Sequence, residues 1–140
     1  MLELVTSSPA ATEAAGERLS AHLGRGDLIL IEGPLGAGKT TFVRGLARGL
    51  GSTAWVASPT FQLLRIYSGR LQLAHADLYR LGGGESLAEL GLDDLLNEGA
   101  AIVEWGDRAV VEGAIRITIE ALSRRRRRLR LEGAPSSWSW

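Results

Sequence analysis

The residues best suited to chemistry lie in a glycine-rich stretch, GPLGAGKTT, at positions 33–41. It satisfies the complete G-x-x-x-x-G-K-[ST] pattern, in which small residues let backbone N–H groups turn toward phosphate oxygens and the following helix adds its positive end. Lys39 would then reach the β- and γ-phosphates of a nucleotide, and the Thr40 hydroxyl is the expected Mg²⁺ ligand. The stretch predicts a phosphate-binding loop built on Gly33, Gly36, Gly38, Lys39 and Thr40.

Lys39 is the only lysine among the sixteen Lys and Arg residues of the chain. An ammonium group is a compact point charge on a flexible stem, a shape that the planar guanidinium does not reproduce. The competing interpretation, a glycine-rich turn with a surface lysine, is disfavoured by the flanking segments. The apolar run LILIE precedes the loop, and an amphipathic segment follows it with Phe42, Val43, Leu46 and Leu50 on one face.

A loop of this kind also needs an acid at the end of a neighbouring strand, to hold magnesium directly or through water, and a group that orients the attacking water. Glu104 ends the apolar run AAIVE, and open α/β sheets bind ligands at the carboxyl ends of their strands. Asp77 lies in HADLYR, where alternation places it on one face with His75 and Tyr79. The residues alone leave open which acid contacts magnesium.

Five further residues are candidates for a switch or a partner contact: Ser58, Thr60, His75, Tyr79 and Trp105. The first two lie in SPTF, which is either a segment that senses the γ-phosphate or a plain loop. His75 is expected to be a hydrogen-bonded structural residue rather than a catalytic base. Tyr79 and Trp105 are expected to pack rather than to stack on a nucleotide.

The run Arg124–Arg128, followed by Arg130, also has two interpretations. It could contact RNA or another phosphate-rich surface, or it could form a solvated hairpin whose charges protect an edge strand from aggregation. The second is favoured. Sixteen basic and sixteen acidic residues give a formal net charge of zero, which argues against a nucleic-acid binder held by a global positive field.

The order of strand and helix signals predicts an α/β fold. We expect a P-loop NTPase-like three-layer sandwich with a mixed, mostly parallel central sheet and antiparallel hairpin strands at its edges. Predicted strands cover 2–5, 28–32, 61–67, 71–79, 100–105, 114–122 and 124–133. One helix is capped by Ser8 and stopped by Gly24, a second follows the loop, and a third covers 82–99 and is weakened by Gly91. Residues 1–133 are expected to form a single P-loop ATPase domain, and 134–140 a disordered tail.

Composition excludes several classes of protein and site. The absence of cysteine rules out disulfides, thiolate metal sites and a cysteine nucleophile. The first residues lack the basic start and apolar core of a secretory signal, and no apolar run approaches the ~18 residues that span a bilayer. A cytoplasmic location is therefore expected.

Several motifs, in order, resemble the TsaE family of bacterial P-loop ATPases of tRNA threonylcarbamoyladenosine biosynthesis. The matching stretches are GPLGAGKTT, VASPTF, HADLYRL, ELGLDDLL and IVEWGDR, within about residues 26–108. Very many proteins share the loop, but SPTF followed by H-x-D-x-Y-R and then V-E-W is specific in combination. Pro34 departs from the family, which often has an acid there, but this position contributes backbone.

The resemblance implies an ATP- and Mg²⁺-dependent enzyme with weak intrinsic activity. It would act with a two-protein threonylcarbamoyl transferase complex of the TsaB and TsaD type, which modifies an adenosine beside the anticodon of tRNAs that decode ANN codons. The ATPase would support repeated turnover of that complex. Contact with tRNA would be indirect or through the Arg124–Arg128 run, one arginine of which could also approach the nucleotide.

The resemblance also carries over site residues, position by position. The nucleotide-binding loop corresponds to Gly36–Thr41, which includes Ala37 and Thr41. The magnesium site corresponds to Thr40 and Glu104, and Asp77 to an important acid, for which we expect a role in water orientation. Thr12 falls in a first-helix region near the nucleotide base. Lys39, Asp77 and Glu104 are thus the expected catalytic residues.

Two alternatives remain. A small-molecule kinase is disfavoured because the segment after HADLYR is too short for an arginine-bearing lid and an acceptor site. The other is a nucleotide-dependent interaction module whose hydrolysis is incidental and whose arginine run is the binding surface. Guanine recognition of the N-K-x-D type is impossible, since the chain has no second lysine.

Overall fold

A computed structural model describes residues 1–34, 36–56, 64–77, 91–104 and 113–140. Its seven strands are β1 (Leu2–Thr6), β2 (Leu28–Glu32), β3 (Leu64–Tyr67), β4 (Gln72–Asp77), β5 (Gly99–Glu104), β6 (Ile115–Ala121) and β7 (Arg127–Glu132). The helices are α1 (Pro9–Leu19), α2 (Lys39–Gly49) and α3 (Leu92–Glu98), with a short 3₁₀ turn at Ser20–His22. Four of the candidate residues, Ser58, Thr60, Tyr79 and Trp105, lie outside the described ranges.

The strands form one sheet in the order β1-β7-β6-β2-β5-β4-β3. The four central strands, β6, β2, β5 and β4, are mutually parallel. At one edge β3 pairs antiparallel with β4, and at the other β7 and β1 continue antiparallel from β6. This arrangement confirms the predicted α/β class with a mixed sheet that is parallel at its centre and edged by hairpins.

Strand β2 is buried on both faces, as its unbroken apolar run predicts. Ile29 and Ile31 pack in the larger core cluster with α1 and α2, whereas Leu28 and Leu30 pack in a second cluster with α3 on the opposite face. Helices therefore cover both faces of the sheet. The end of β2 points the chain directly into the glycine-rich loop and then into α2.

Helices α1 and α2 pack closely because glycines lie where they cross. A Cβ at Gly16 would meet the Phe42 carbonyl oxygen, and one at Gly45 would meet the Glu13 carbonyl oxygen. Both glycines are buried. The contact between the two backbones holds the start of α1 beside the start of α2, where the site lies.

Two helix boundaries differ from the prediction. Helix α1 does begin with Ser8 as its cap and Pro9 in its first turn, but it ends at Leu19 and passes into the 3₁₀ turn before Gly24. Gly91 precedes α3 with φ of +72°, a left-handed conformation that suits glycine, so the helix predicted over 82–99 does not run unbroken through it, and residues 82–90 of that prediction lie outside the described ranges. In the described part of the chain, no helix is long and apolar enough to cross a membrane.

The C-terminal tail also differs from the prediction of disorder. Trp138 is 7% exposed and stacks on the His22 ring with centroids 5.6 Å apart. Trp140 meets Phe42 edge to face at 6.1 Å. The two aromatic side chains thus bury apolar surface against the core, which a serine-rich sequence context does not reveal.

Candidate nucleotide-binding site

The glycine-rich loop has the backbone that the motif predicts. Gly36 and Gly38 have φ of +79° and +106°, in the left-handed region that side chains disfavour. Gly38 is the N-cap of α2 and offers no side chain to cap it, and the first turn of the helix holds no acid. The first N–H groups of α2 and its positive dipole end are thus left for an anion.

Lys39 and Gly33 fix the base of the loop. The Lys39 ammonium donates a hydrogen bond to the Gly33 carbonyl oxygen at 2.5 Å, so the only lysine of the chain lies folded over the loop. A Cβ on Gly33 would come within 2.6 Å of the Ile119 carbonyl oxygen. Only glycine lets the loop pass this close to β6.

A cavity of about 280 Å³ lies against the loop. Its walls come from the start of α1, the loop with the first turn of α2, and the β6–β7 turn; the lining residues are Pro9, Thr12, Gly36, Ala37, Gly38, Thr41, Arg124, Arg125 and Arg127. The structure thus brings three segments that are distant in sequence to one pocket. Backbone N–H groups, a helix start and several guanidinium groups suit a polyphosphate.

Thr12 lines this cavity, but its hydroxyl is engaged inside the protein. It lies 2.7 Å from the Thr6 hydroxyl and donates to the Ser8 carbonyl oxygen at 3.4 Å. Its methyl carbon lies 3.8 Å from where a Cβ on Gly38 would stand. Thr12 therefore contributes apolar surface to the pocket, which suits contact with a base better than a polar bond.

The two candidate acids lie side by side at one edge of the sheet. Strands β4 and β5 are parallel with Asp77 in register with Glu104, and Glu104 is in register with Ile31 of β2. Register partners share a face, and Ile31 belongs to the cluster beneath α1 and α2. Both carboxylates therefore face the side of the sheet that carries the loop and α2, and both are largely buried, 9% and 6% exposed.

His75 lies within hydrogen-bond distance of one of these acids. Its Nε2 lies 3.0 Å from Oε2 of Glu104, and the His75 side chain is fully buried. Among the described residues its Nδ1 has no hydrogen-bond partner. The pairing fits the expectation of a hydrogen-bonded structural histidine, and the burial excludes a direct surface contact with a partner protein.

The donor atoms fit a magnesium ion bound together with a nucleotide. The described residues contain no group of three or more His, Asp or Glu side chains that could cage a metal. Magnesium in nucleotide sites needs only one or two protein oxygens, with phosphates and water completing the octahedron. The Thr40 hydroxyl at the start of α2 and the carboxylates at the ends of β4 and β5 are oxygen ligands of this kind.

The arginine run divides into three parts. Arg128 and Arg130 pair with Glu120 and Glu3 on neighbouring strands, at 3.5 and 2.9 Å. Arg127 turns to the opposite face and bonds the loop backbone. The side chains of the remaining three, 124–126, form no hydrogen bond or ion pair with the residues that the structure describes.

The sequence held a signal for this division. Positions 127, 129 and 131 alternate with 128 and 130, and Leu129 and Leu131 belong to the core on the loop side of the sheet. Arg127 therefore continues an inward-facing row. The uniform run of arginines hides this period, and Pro9, which also lines the cavity, is recognisable in the sequence only as a helix start.

The chain is similar to several known proteins. A sequence model described as "Threonylcarbamoyl adenosine biosynthesis protein TsaE" matches residues 6–129. A tRNA threonylcarbamoyladenosine biosynthesis protein TsaE from Treponema pallidum is 39% identical over 112 residues, which are 79% of this chain and 83% of the relative. The protein of the same name from Streptomyces coelicolor is 42% identical over 123 residues, 85% of this chain and 77% of the relative. The crystal structure of Bacillus subtilis YdiB superposes with a TM-score of 0.76 at 34% identity, covering 91% of this chain and 82% of that one.

Proposed function

This chain belongs to the TsaE family, and on that basis we propose that it is the magnesium-dependent, ATP-hydrolysing subunit of tRNA N6-threonylcarbamoyladenosine formation. The family has its role in the biosynthesis of this modified nucleoside. The substrates are tRNAs that decode ANN codons, and the partner is a two-protein threonylcarbamoyl transferase complex of the TsaB and TsaD type. Hydrolysis by the chain alone is weak, and it supports repeated turnover of the transferase.

The observation that carries this proposal is that the loop and the two buried acids lie on the same side of the sheet, at the ends of neighbouring strands, although neither acid lines the loop cavity. The loop cavity has the volume and the charge for a nucleotide polyphosphate. Asp77 and Glu104 are adjacent in register at the carboxyl ends of parallel strands, where open α/β sheets bind ligands. This arrangement supports a phosphate site with a hydrolytic site on the same side of the sheet.

Each residue then has a role. Lys39 leaves the Gly33 carbonyl to neutralise charge on the β- and γ-phosphates, and the start of α2 holds the phosphates by its N–H groups. Thr40 and Glu104 hold magnesium, with His75 fixing the orientation of the Glu104 carboxylate. Bound magnesium neutralises charge that develops on the phosphates. Asp77 accepts a hydrogen bond from the attacking water and so orients it.

Within the arginine run, contact with tRNA is made by the side chains that form no hydrogen bond or ion pair with the described residues. Arg128 and Arg130 neutralise acids of the sheet, and Arg127 bonds backbone carbonyl groups. The side chains at 124–126 are thus the basic groups available to a phosphate backbone, and two of them, Arg124 and Arg125, also line the nucleotide cavity. The transferase pair supplies the remaining recognition of tRNA.

The proposal is tested by steady-state ATP turnover with the purified chain, with and without Mg²⁺ and with and without the purified transferase pair. We expect slow, magnesium-dependent release of phosphate from the chain alone and a clear increase when both partners are added. Transfer of phosphate to a small metabolite without the partners would identify a kinase instead. Turnover that the partners leave unchanged would indicate an interaction module with incidental hydrolysis.

A further inference from the structure

Arg127 stands at the first position of β7, on the face of the sheet that carries the loop. Its register partner in β1 is Thr6, whose hydroxyl contacts Thr12 of the nucleotide cavity. Along β7 the same face continues with Leu129 and Leu131, both buried in the core. On this face of β7, a guanidinium group therefore stands where the pattern would place an apolar side chain, at the position that contacts the glycine-rich loop.

The guanidinium bonds two segments of backbone at once. Nε donates to the Ala37 carbonyl oxygen at 2.9 Å, and one terminal nitrogen donates to the Gly36 carbonyl oxygen at 3.4 Å. The other terminal nitrogen donates to three carbonyl oxygens of the β6–β7 turn, those of Ser123, Arg124 and Arg126, at 2.8, 3.4 and 3.0 Å. One side chain therefore ties the loop to the turn that forms the opposite wall of the cavity.

The bond to Ala37 has a consequence for phosphate binding. In a trans peptide the C=O and the following N–H point in opposite directions. Holding the Ala37 carbonyl on the β7 side therefore turns the Gly38 N–H away from β7, at the mouth of α2 where Gly38 lines the cavity. The preceding peptide is held at both ends, because its Gly36 carbonyl oxygen accepts from Arg127 and the Ala37 N–H donates to the Pro34 carbonyl oxygen at 3.0 Å.

We propose that Arg127 is a positioning residue that locks the phosphate-binding loop to the β6–β7 turn and so preorganises both walls of the nucleotide cavity. Its effect on nucleotides rests on the proposed function, because it acts through a loop that we propose binds ATP. Arginine is required, since the clamp uses donors in three directions of a rigid plane and an ammonium cannot reach both segments. A loop fixed beforehand loses less freedom on binding, which raises affinity.

The clamp is tested first without any nucleotide. Amide hydrogen exchange at Ala37 and Phe42, whose N–H groups donate to the Pro34 and Gly38 carbonyl oxygens, is compared among the natural chain, Arg127→Ala, Arg127→Lys and Arg130→Ala. The last is the matched control, because Arg130 lies on the same strand but faces away and pairs with Glu3. We expect faster exchange in the loop for both Arg127 variants, with unchanged exchange in β2 and β5, and natural exchange for Arg130→Ala.

The second measurement is ATP affinity by calorimetry on the same proteins. Arg127→Ala and Arg127→Lys are expected to bind ATP about tenfold more weakly, the factor that corresponds to one lost charge-assisted hydrogen bond. Millimolar guanidinium ion should restore part of the affinity of Arg127→Ala and none of that of a variant lacking Lys39. General destabilisation by the substitution would not be reversed in this way.

The proposed role of Arg127 would be overturned if Arg127→Ala showed the same loop exchange as the natural chain. It would also be overturned if Arg127→Lys kept both the slow loop exchange and the ATP affinity of the natural chain. Loop exchange as fast in Arg130→Ala as in Arg127→Ala would overturn it as well. Because exchange is measured in the free chain, its result stands whether or not ATP binds. Failure of the natural chain to bind ATP would instead refute the proposed function.

Discussion

Single residues decide how charge is distributed at the phosphate loop. The chain uses arginine at every basic position except Lys39, and the structure places that ammonium on the Gly33 carbonyl oxygen, inside the loop. The guanidinium of Arg127 contacts the same loop through the carbonyl groups of Gly36 and Ala37. The two cationic residues thus differ in role by shape: the compact group lies inside the loop, where we propose that it meets the phosphates, and the planar group joins two segments of backbone.

Replacing Lys39 tests this division. Lys39→Ala is expected to weaken ATP binding at least ~100-fold, because a charge-assisted contact to phosphate is lost. Lys39→Arg keeps the charge and is expected to fail as well, since the larger planar group does not fit the position. Calorimetry and phosphate release measure both effects, and normal turnover in Lys39→Arg would refute our account of the lone lysine.

Glu104 is the residue where charge and structure can be separated. Glu104→Gln keeps a hydrogen-bonding partner for His75 but removes the negative charge, so we expect natural stability with ATP hydrolysis reduced at least ~100-fold and a raised Mg²⁺ requirement. Glu104→Ala also leaves the buried His75 nitrogen unpaired, which should cost about 1–3 kcal/mol of unfolding free energy. Magnesium titration of turnover and urea unfolding provide the two readouts. A natural magnesium dependence in Glu104→Gln would remove Glu104 from the metal site.

Strands and helices position these residues in two ways, through connections that are local in sequence and through packing of one helix on another. The loop is set between β2 and α2 by local sequence, whereas α1 reaches the cavity only because it packs tightly on α2. That packing depends on Gly16 and Gly45, each of which has the backbone of the other helix where a Cβ would stand. Glycine is therefore preferred at these positions against its poor helix propensity.

The sign of the change in unfolding free energy in Gly45→Ala distinguishes the effect of helix packing from that of helix propensity. Alanine in the interior of α2 would stabilise an isolated helix by about 1 kcal/mol. In this fold the methyl group would collide with the Glu13 backbone, so we expect a net loss of about 1–3 kcal/mol in urea unfolding. The control is Arg48→Ala on the same helix, where only solvent-exposed ion pairs with Glu13 and Glu17 are lost and the change should be small. A more stable Gly45→Ala protein would contradict the close contact of α1 and α2.

The sequence predicted the local elements better than their pairing. The buried run of β2, the loop and the amphipathic α2 are legible because apolar period and glycine positions are local properties. The neighbourhood of Asp77 and Glu104 depends on parallel pairing of strands that are separated in the chain by α3, and register of that kind leaves no local signal. The end of α1 was misplaced because Gly24 resembles a helix stop, whereas the chain tightens into a 3₁₀ turn from Ser20.

At the scale of the whole molecule, both end segments of the chain pack against the rest of the fold. β1 lies at one edge of the sheet beside β7, and the tail that follows β7 packs Trp138 and Trp140 against His22 and Phe42. Two tryptophans separated by one serine are too few to establish a period, so the sequence pattern alone does not predict them in the core. The tail is thus part of the folding unit that carries the site.

Removal of the Trp138 side chain tests that role. Trp138→Ala is expected to lower the unfolding free energy by about 3 kcal/mol, because a large buried aromatic group is replaced by a cavity or by water. Trp55→Ala is the matched control, since Trp55 is 75% exposed and its loss should cost less than about 1 kcal/mol. Urea unfolding followed by circular dichroism compares the two, and equal stabilities would return the tail to the status of a disordered segment.

We propose above all that ATP hydrolysis at this loop sustains threonylcarbamoylation of tRNA. The direct measurement is a reconstituted reaction containing threonylcarbamoyl donor, an ANN-decoding tRNA and the purified transferase pair, with modified adenosine counted per transferase complex. We predict many products per complex with the natural chain and ATP, and no more than about one with Lys39→Ala or without ATP. Equal product counts with the natural chain, with Lys39→Ala and with no added chain would contradict the claim.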